Sequence, residues 1–387
     1  MVGGIFSRNA VALFVALTAG TADAVVYKAT LLHPAGNYSD SAANGLSGGT
    51  QVGSATPAGA AQHAFLWSGT AATGADLNPT GFSYSELFGA SGSNQVGYAN
   101  SASFAGDHAF LWHGSKVGVV DLNPAGFVGS YAYAVSGNDQ GGEAYYTSGL
   151  ADLFHAVLWH GTAASAVDLN PAGYQQSSCE GVSGGFQFGS AALPSSNFHA
   201  TLWNGTAVSA LDLNPTGFST SSGKAIASNG SVQVGDGIGA ATGGRDHALL
   251  WSGTAASATD LNPAGFTTSR ALGVSGIYQV GSGVNGTLGN FPRALVWSGT
   301  AASAVDLHTY LTGLGITFKY SEANGVDSNG TIVGYGSDGS HNYAVMWTPV
   351  PEPSTWVMIC VGAVIVIRSP RRKLLRSRMA RREPCRP

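Results

Sequence analysis

Side chains able to do chemistry fall into two sets in this sequence: those that recur at a fixed interval and those that occur once. Histidine opens a short apolar segment ending in Trp five times: His63 to Trp67, His108 to Trp112, His155 to Trp159, His199 to Trp203 and His247 to Trp251. Arg293 to Trp297 and Tyr343 to Trp347 are the two variants. Aspartate begins Asp-Leu-Asn-Pro at Asp76, Asp121, Asp168, Asp212 and Asp260, with degenerate copies at Asp306-Leu-His308 and Leu31-Leu-His33-Pro34. A residue needed once per unit is needed by the unit. The Trp are therefore expected to pack the fold and the His to order strand ends by hydrogen bonding. The Asp and Asn are expected to bond backbone amides and start a turn, while Pro stops the strand. The rival readings are an aromatic sugar-binding rim for the Trp, and a ring of carboxylates around a central channel holding a cation such as Ca²⁺.

Departures from the repeat are where a single site would stand. His33 and His308 replace Asn in the first and last units, which adjoin if the units close into a ring. Two imidazoles could then share a metal or a proton, although terminal repeats are often atypical because they close the ring. The step from the Gln-Val-Gly glycine to the next His position varies from nine to thirteen residues. Insertions in repeat proteins map to one face, often the binding face. These connections carry Asp107, Glu143, Tyr145, Tyr146 and Asp246, the candidate binding-loop residues, together with Asp152, Asp236, Arg245 and Asp338. Aromatic and acidic side chains there suit contact with carbohydrate or a cation.

Evidence for catalysis is thinner. Cleavage of a sugar bond takes two carboxylates near one another, but Glu143, Glu180 and Glu322 belong to no recognisable motif. Neither a glycine-rich phosphate loop nor a serine-nucleophile elbow is present. Cys179 is the one cysteine between residues 25 and 350, so it can build neither a disulfide framework nor a cysteine-based zinc site. It reads as an unpaired strand cysteine. No catalytic residue, metal site or cofactor is expected.

The elements that would position these residues follow from a third marker, Gln-Val-Gly or similar, at Gln51, Gln95, Gln140, Gln187, Gln233 and Gln279, and finally at Ile332-Val-Gly334. The seven Trp stand 44 to 50 residues apart. Each unit holds four apolar segments of four to seven residues separated by Gly, Ser, Asn and Pro. Such segments are strands, and no helical period appears. The expected fold is all-β: a seven-bladed β-propeller over residues 25–349, built from seven four-stranded repeats of about 46 residues. Closure also removes sheet edges that a chain poor in charge would otherwise have to protect. A right-handed β-helix is the competing architecture, but its rungs are shorter.

Of 387 residues, 56 are Gly and 10% are charged, against roughly 25% in an average soluble domain. The charge is segregated. Nine basic residues lie between Arg368 and Pro387, which leaves residues 25–350 with seven basic residues, eighteen acids and a net charge of −11. So acidic a body repels phosphate backbones, which excludes nucleic acid as a partner.

Both ends read as addresses. Arg8, an apolar run from Ala10 to Leu17, and small residues ending Ala22-Asp23-Ala24 form the pattern of a secretory signal peptide over residues 1–24, cleaved after Ala24. At the other end, residues 350–355 include Pro351, Glu352 and Pro353. A short hydrophobic helix is expected at 356–367, then an Arg-rich tail at 368–387. Twelve apolar residues make a helix of about 18 Å against roughly 30 Å of hydrocarbon, so transient inner-membrane anchoring is expected. The basic tail would stay cytoplasmic, in agreement with export of the body.

This tripartite end resembles the PEP-CTERM sorting signal of Gram-negative bacteria. The resemblance implies that an exosortase-type enzyme recognises Pro351-Glu352-Pro353 and removes the helix and tail. The tail runs longer than usual, and the helix contains Cys360 and starts with Trp356; an ordinary short tail anchor in the periplasm is the alternative. The body resembles extracellular HAF repeats, which His63-Ala64-Phe65 and His108-Ala109-Phe110 match to the letter. That resemblance carries fold and location but no activity. The expected function is a non-catalytic binding or structural component of extracellular polysaccharide, at the cell surface or in the matrix. A polysaccharide-processing hydrolase or lyase on the same scaffold is the alternative.

Overall fold

The computed structural model describes residues 25–148, 151–194 and 197–351. The expected signal peptide with Ala22 and Ala24, and Glu352 and Pro353 of the expected sorting motif with the helix and tail expected beyond them, lie outside the described residues. Pro351 is exposed and in no regular element. No helix among the described residues is long and apolar enough to cross a membrane.

Seven four-stranded antiparallel sheets form a seven-bladed propeller. The β-helix is thereby set aside. In blade 1 the strands run from the axis outward as Tyr38–Ser47, Thr50–Pro57, His63–Trp67 and Ala75–Asp76. The inner strands of blades 2 to 7 begin at Tyr84, Gly129, Gln176, Phe218, Thr268 and Tyr320. Blade 7 takes its outermost strand from the other end of the chain: Tyr27–Leu31 pairs with Asn342–Pro349, Tyr27 opposite Pro349 and Leu31 opposite Val345. Each sequence repeat therefore begins with the outer strand of one blade and continues into the next. That offset by one strand closes the ring.

The repeated residues are consumed by this architecture. All seven repeated Trp are 0–1% exposed, so they pack between blades and form no sugar-binding rim. The indoles of Trp112, Trp251 and Trp347 donate to the carbonyls of Leu77, Leu213 and Leu307 in the preceding outer turn. Each marker Gln ties two turns together. Gln51 donates to the Gly49 carbonyl at 2.8 Å and accepts the Gly69 amide at 2.7 Å, and Gln95, Gln140, Gln187 and Gln279 make the same pair of bonds.

The glycine of Gln-Val-Gly stands against the inner strand. A Cβ on Gly97 or Gly142 would collide with the carbonyl oxygen of Glu86 or Tyr131. Side chains across the joints are complementary in size: the Phe188 ring lies where a Cβ on Gly223 would be, at 2.8 Å from its Cε1, and Cys179 Sγ fills the space over Gly141, at 2.6 Å from a Cβ there. Cys179 is free and fully buried, and burial pushes its thiol up to about 12. It is a packing residue.

Candidate functional site

At the outer edge, the His and Asp of each repeat meet. Nδ1 of His63, His108, His155, His199 and His247 lies 2.7–2.8 Å from Oδ2 of Asp76, Asp121, Asp168, Asp212 and Asp260, and Arg293 Nε binds Asp306 in the sixth copy. The other carboxylate oxygen of Asp76 accepts the Asn78 amide at 2.8 Å, so the expected turn is present. These aspartates stand on the outermost strands. A carboxylate ring at the central channel is thus corrected, because the strand that carries the motif is the one farthest from the axis.

One serine per blade, not singled out from sequence, locks each joint. Ser41, Ser85, Ser130, Ser177, Ser221, Ser269 and Ser321 accept the backbone amides of Ala344, Ala64, Ala109, Ala156, Ala200, Ala248 and Ala294 at 2.9–3.0 Å. Five of these hydroxyls donate onward to Oδ1 of the motif Asn, as Ser130 does to Asn123 at 2.8 Å. At the other two joints the acceptor is histidine: His33 Nδ1 lies 2.8 Å from Ser41 Oγ, and His308 Nδ1 lies 2.9 Å from Ser321 Oγ. Asn Oδ1 and neutral imidazole Nδ1 are equivalent acceptors, which explains the exchange. Each His serves its own joint, and burial lowers the pKa of both. They form no shared site.

The unrepeated side chains converge elsewhere. Every inner strand carries a β-bulge at the same place, and the unpaired residue differs in nearly every blade: Asn44, Phe88, Tyr133, Glu180, Lys224, Leu272 and Asn324. A bulge re-aims the extra side chain out of the ladder. These seven line an axial cavity of about 220 Å³ bounded by all seven inner strands. Two positions earlier stand Ala42, Glu86, Tyr131, Ser178, Ser222, Arg270 and Glu322, paired on the second strands with Ser54, Tyr98, Glu143, Ser190, Asp236, Ser282 and Tyr335. All four glutamates among the described residues belong to these rings. This end of the channel is also where the joints between blades and the connections from second to third strands lie.

The residues singled out from loop length fall as follows. Asp107 and Asp246 are on those connections and reach the mouth. Asp107 accepts Tyr84 at 2.6 Å, Asn100 at 2.8 Å and Tyr131 at 2.8 Å, and Asp246 accepts Arg270 at 2.7 Å. Glu143, Tyr145 and Tyr146 stand on a strand, Asp139–Ser148, because blade 3 extends its second and third strands into a long hairpin with Ala151–Trp159. Glu143 faces the mouth and accepts the Tyr133 hydroxyl at 2.7 Å. Tyr145 stacks on Tyr131. Tyr146 packs instead on Phe127 and His155 within its blade.

Electrostatics set this mouth apart. Burial pushes Glu143 up to about 7, helped by the charge of Glu180. Burial, with Asp246 nearby, pushes Asp236 up to about 6, and burial raises Glu322. Glu180 sits 3.8 Å from Lys224 and accepts Ser178 at 3.0 Å. The hydrogen bond to Asp107 pushes the Tyr84 phenol up to about 12, and burial raises Tyr98, Tyr131 and Tyr133. These phenols stay neutral donors. Sequence reading named Glu143, Asp107 and Asp246 but missed Tyr84, Glu86, Phe88, Tyr98, Tyr131, Tyr133 and Lys224. The signal was available as positions that vary inside an otherwise constant strand. No group of three or more His, Cys, Asp or Glu suited to a metal ion occurs among the described residues.

No family model matches the chain, and no curated protein matches it. Solved structures do. An oligogalacturonate lyase from Vibrio parahaemolyticus is 10% identical, with 83% of this chain and 91% of that one covered and a TM-score of 0.53. A puromycin hydrolase is 13% identical, with 79% and 51% covered and a TM-score of 0.52. A puromycin-hydrolyzing peptidase of Mycobacterium tuberculosis is 13% identical, with 81% and 53% covered and a TM-score of 0.50. This chain thus spans about half the length of the two hydrolases. Likeness at such identity is one of fold, and propellers host many functions.

Proposed function

We propose that the protein is an exported glycan-binding propeller, sorted at its C terminus by an exosortase-type enzyme, that holds extracellular polysaccharide at one mouth of its central channel. One observation carries the reading. The residues that repeat are spent on blades and joints, while a set that does not repeat, every glutamate of the described residues among them, gathers around that mouth. Tyrosine faces pack against the C–H faces of sugar rings, and phenols, carboxylates and amides bond hydroxyls. Export and sorting rest on the signals at the two ends of the sequence.

The test is to mix residues 25–350 with the producing organism's own extracellular polysaccharide, following co-sedimentation and the appearance of new reducing or unsaturated ends. Co-sedimentation lost in Tyr131→Ala, with no new ends, is the expected result. Absence of binding would remove the polysaccharide reading. A second reading, glycan cleavage, is favoured by Glu143, whose carboxyl is pushed up to about 7 beside Glu180; a proton donor at neutral pH needs such an elevation. New ends that disappear in Glu143→Gln would establish it in place of simple binding.

A further inference from the structure

Aromatic rings and charges are unevenly spread around the mouth. Blades 2 and 3 supply Tyr84, Phe88, Tyr98, Tyr131 and Tyr133, all half-buried. Their rings touch in a continuous arc: Tyr84 to Tyr98 at 6.2 Å, Phe88 to Tyr98 at 5.7 Å, Tyr98 to Tyr131 at 5.2 Å and Tyr131 to Tyr133 at 6.2 Å between centroids. Three carboxylates stand among these rings, and each is held by neutral donors. Glu86 accepts Asn44 and Gln62 at 2.9 Å, Ser54 at 3.2 Å and Tyr98 at 3.4 Å. Asp107 accepts Tyr84, Asn100 and Tyr131. Glu143 accepts Tyr133.

Toward blades 4 to 6 the pattern reverses. Glu180 has Lys224 at 3.8 Å, and Asp246 has Arg270 at 2.7 Å. Among the described residues, no Lys or Arg lies within ion-pair distance of Glu86, Asp107 or Glu143. Lys224 and Arg270 are the two cations of the channel rings; Lys224 pairs with Glu180 of blade 4, next to Glu143, and Arg270 pairs with Asp246 of blade 5. At Glu86 and Asp107 the aromatic arc therefore carries negative charge that no Lys or Arg pairs, while Glu143, pushed up to about 7 by burial, adds only part of a charge at neutral pH.

The chemistry that completes such an arc is a cation small enough to lie on a ring face. An ammonium group is attracted by the faces of tyrosine rings and by the adjacent carboxylates. It also donates to phenolic oxygens whose own hydrogens are committed to Asp107 and Glu143, which strengthens them as acceptors. A uronic acid or a sulfated sugar would be repelled. A neutral sugar would stack but leave the charge unanswered. We propose that the arc formed by blades 2 and 3 binds the free amine of an amino sugar, a hexosamine without its N-acyl group, within the polysaccharide. This inference rests on the glycan-binding reading and specifies its ligand.

The test is calorimetric titration of the exported protein with four probes: the glucosamine pentamer, the N-acetylglucosamine pentamer, cellopentaose and pentalysine. Asp107→Asn is titrated alongside. The glucosamine pentamer is expected to bind at least tenfold more tightly than the acetylated and neutral oligomers, with the preference shrinking several-fold in the variant and at high salt. Equal binding of the three oligosaccharides overturns the amine inference and leaves glycan binding standing. Binding of none of them overturns the amine inference, and co-sedimentation with the producing organism's polysaccharide then decides the glycan-binding reading separately. Tighter binding of pentalysine than of the glucosamine pentamer makes the partner a protein and overturns the inference as stated. Should Asp107→Asn fail to fold, the comparison of free and acetylated pentamers on the parent protein decides alone.

Discussion

Gly74 gives a worked test of how side chains share space inside a blade. Five blades enter the outer strand through a single 3₁₀ turn, and the residue after it is Gly74, Ala166, Ala210, Ala258 or Ala304. The backbone is the same each time, with φ −60° and ψ 129° at Gly74 against −59° and 128° at Ala166. Glycine is therefore not required by the chain's path. What differs is the matching residue of the third strand, Phe65 in blade 1 but Val157, Thr201, Leu249 and Leu295 in the others.

A Cβ on Gly74 would lie 2.6 Å from Phe65 Cε1, 3.2 Å from the Ala71 carbonyl and 3.3 Å from Trp67 Nε1. Phe65 is 2% exposed and Trp67 fully buried, so neither ring can swing into solvent. Gly74→Ala then overpacks the site at about 1–3 kcal/mol, offset by about 0.4–1 kcal/mol from the stiffer unfolded chain. The net expected loss is about 1–2 kcal/mol. Phe65→Val costs about 2–3 kcal/mol by leaving a void, somewhat less than full truncation to Ala. The double variant recreates the Val–Ala pair of blade 3, so its loss should fall short of the sum of the singles by about 1 kcal/mol or more. Urea unfolding followed by Trp fluorescence measures all three. If Gly74→Ala costs nothing, or the two losses simply add, the steric argument is wrong.

Three further outcomes are expected. Ser130→Ala leaves the buried Ala109 amide without its acceptor and Asn123 Oδ1 without its donor, so it should cost about 1–3 kcal/mol in urea; a cost near zero would remove the serine joint as a stabilising device. His33 must stay unprotonated at Nδ1 to accept from Ser41, and burial lowers its pKa from 6.5. The folded state thus disfavours the proton, and this stability is present above pH 6.5 and lost as pH falls toward the lowered value. The melting temperature should drop on acidification from pH 7 to 5, and drop less in His33→Asn; an equal drop in the variant would count against the acceptor role. Glu143 works in the opposite direction. Its carboxyl is pushed up from 4.5 to about 7, so its contribution is complete below pH 4.5 and disappears as pH rises to about 7. The melting temperature of Glu143→Gln relative to the parent should therefore climb across that interval, and a flat difference would refute the elevation.

Periodicity made the fold legible. Trp, Asp-Leu-Asn-Pro and Gln-Val-Gly each recur seven times counting degenerate copies, and a side chain demanded by every blade must reappear in every unit. The roles of the His, the Trp, the turn-forming Asp and Cys179 were therefore readable before any coordinates. So were Asp107, Glu143 and Asp246 as side chains of interest, though loop length suggested them for an incomplete reason. Glu143 stands on a strand, and the property that matters is its register opposite Tyr131. Tyr146 shared its neighbourhood in sequence but points into the blade, because successive strand residues face opposite ways.

Composition and spacing by themselves determined an acidic, all-β ring of seven units; the addressing role of the two ends stays part of the proposal. The tertiary structure alone decided where the ring closes, with Tyr27–Leu31 completing the last blade, and which side chains meet at the axis. The reason is geometric. Repeats announce what is the same in each unit, whereas a site on a propeller axis takes one different residue from each of seven inner strands, some 45 residues apart in sequence. Asn44, Phe88, Tyr133, Glu180, Lys224, Leu272 and Asn324 form no motif along the chain. They become neighbours around one cavity because seven bulges at one register position turn them to the same axis.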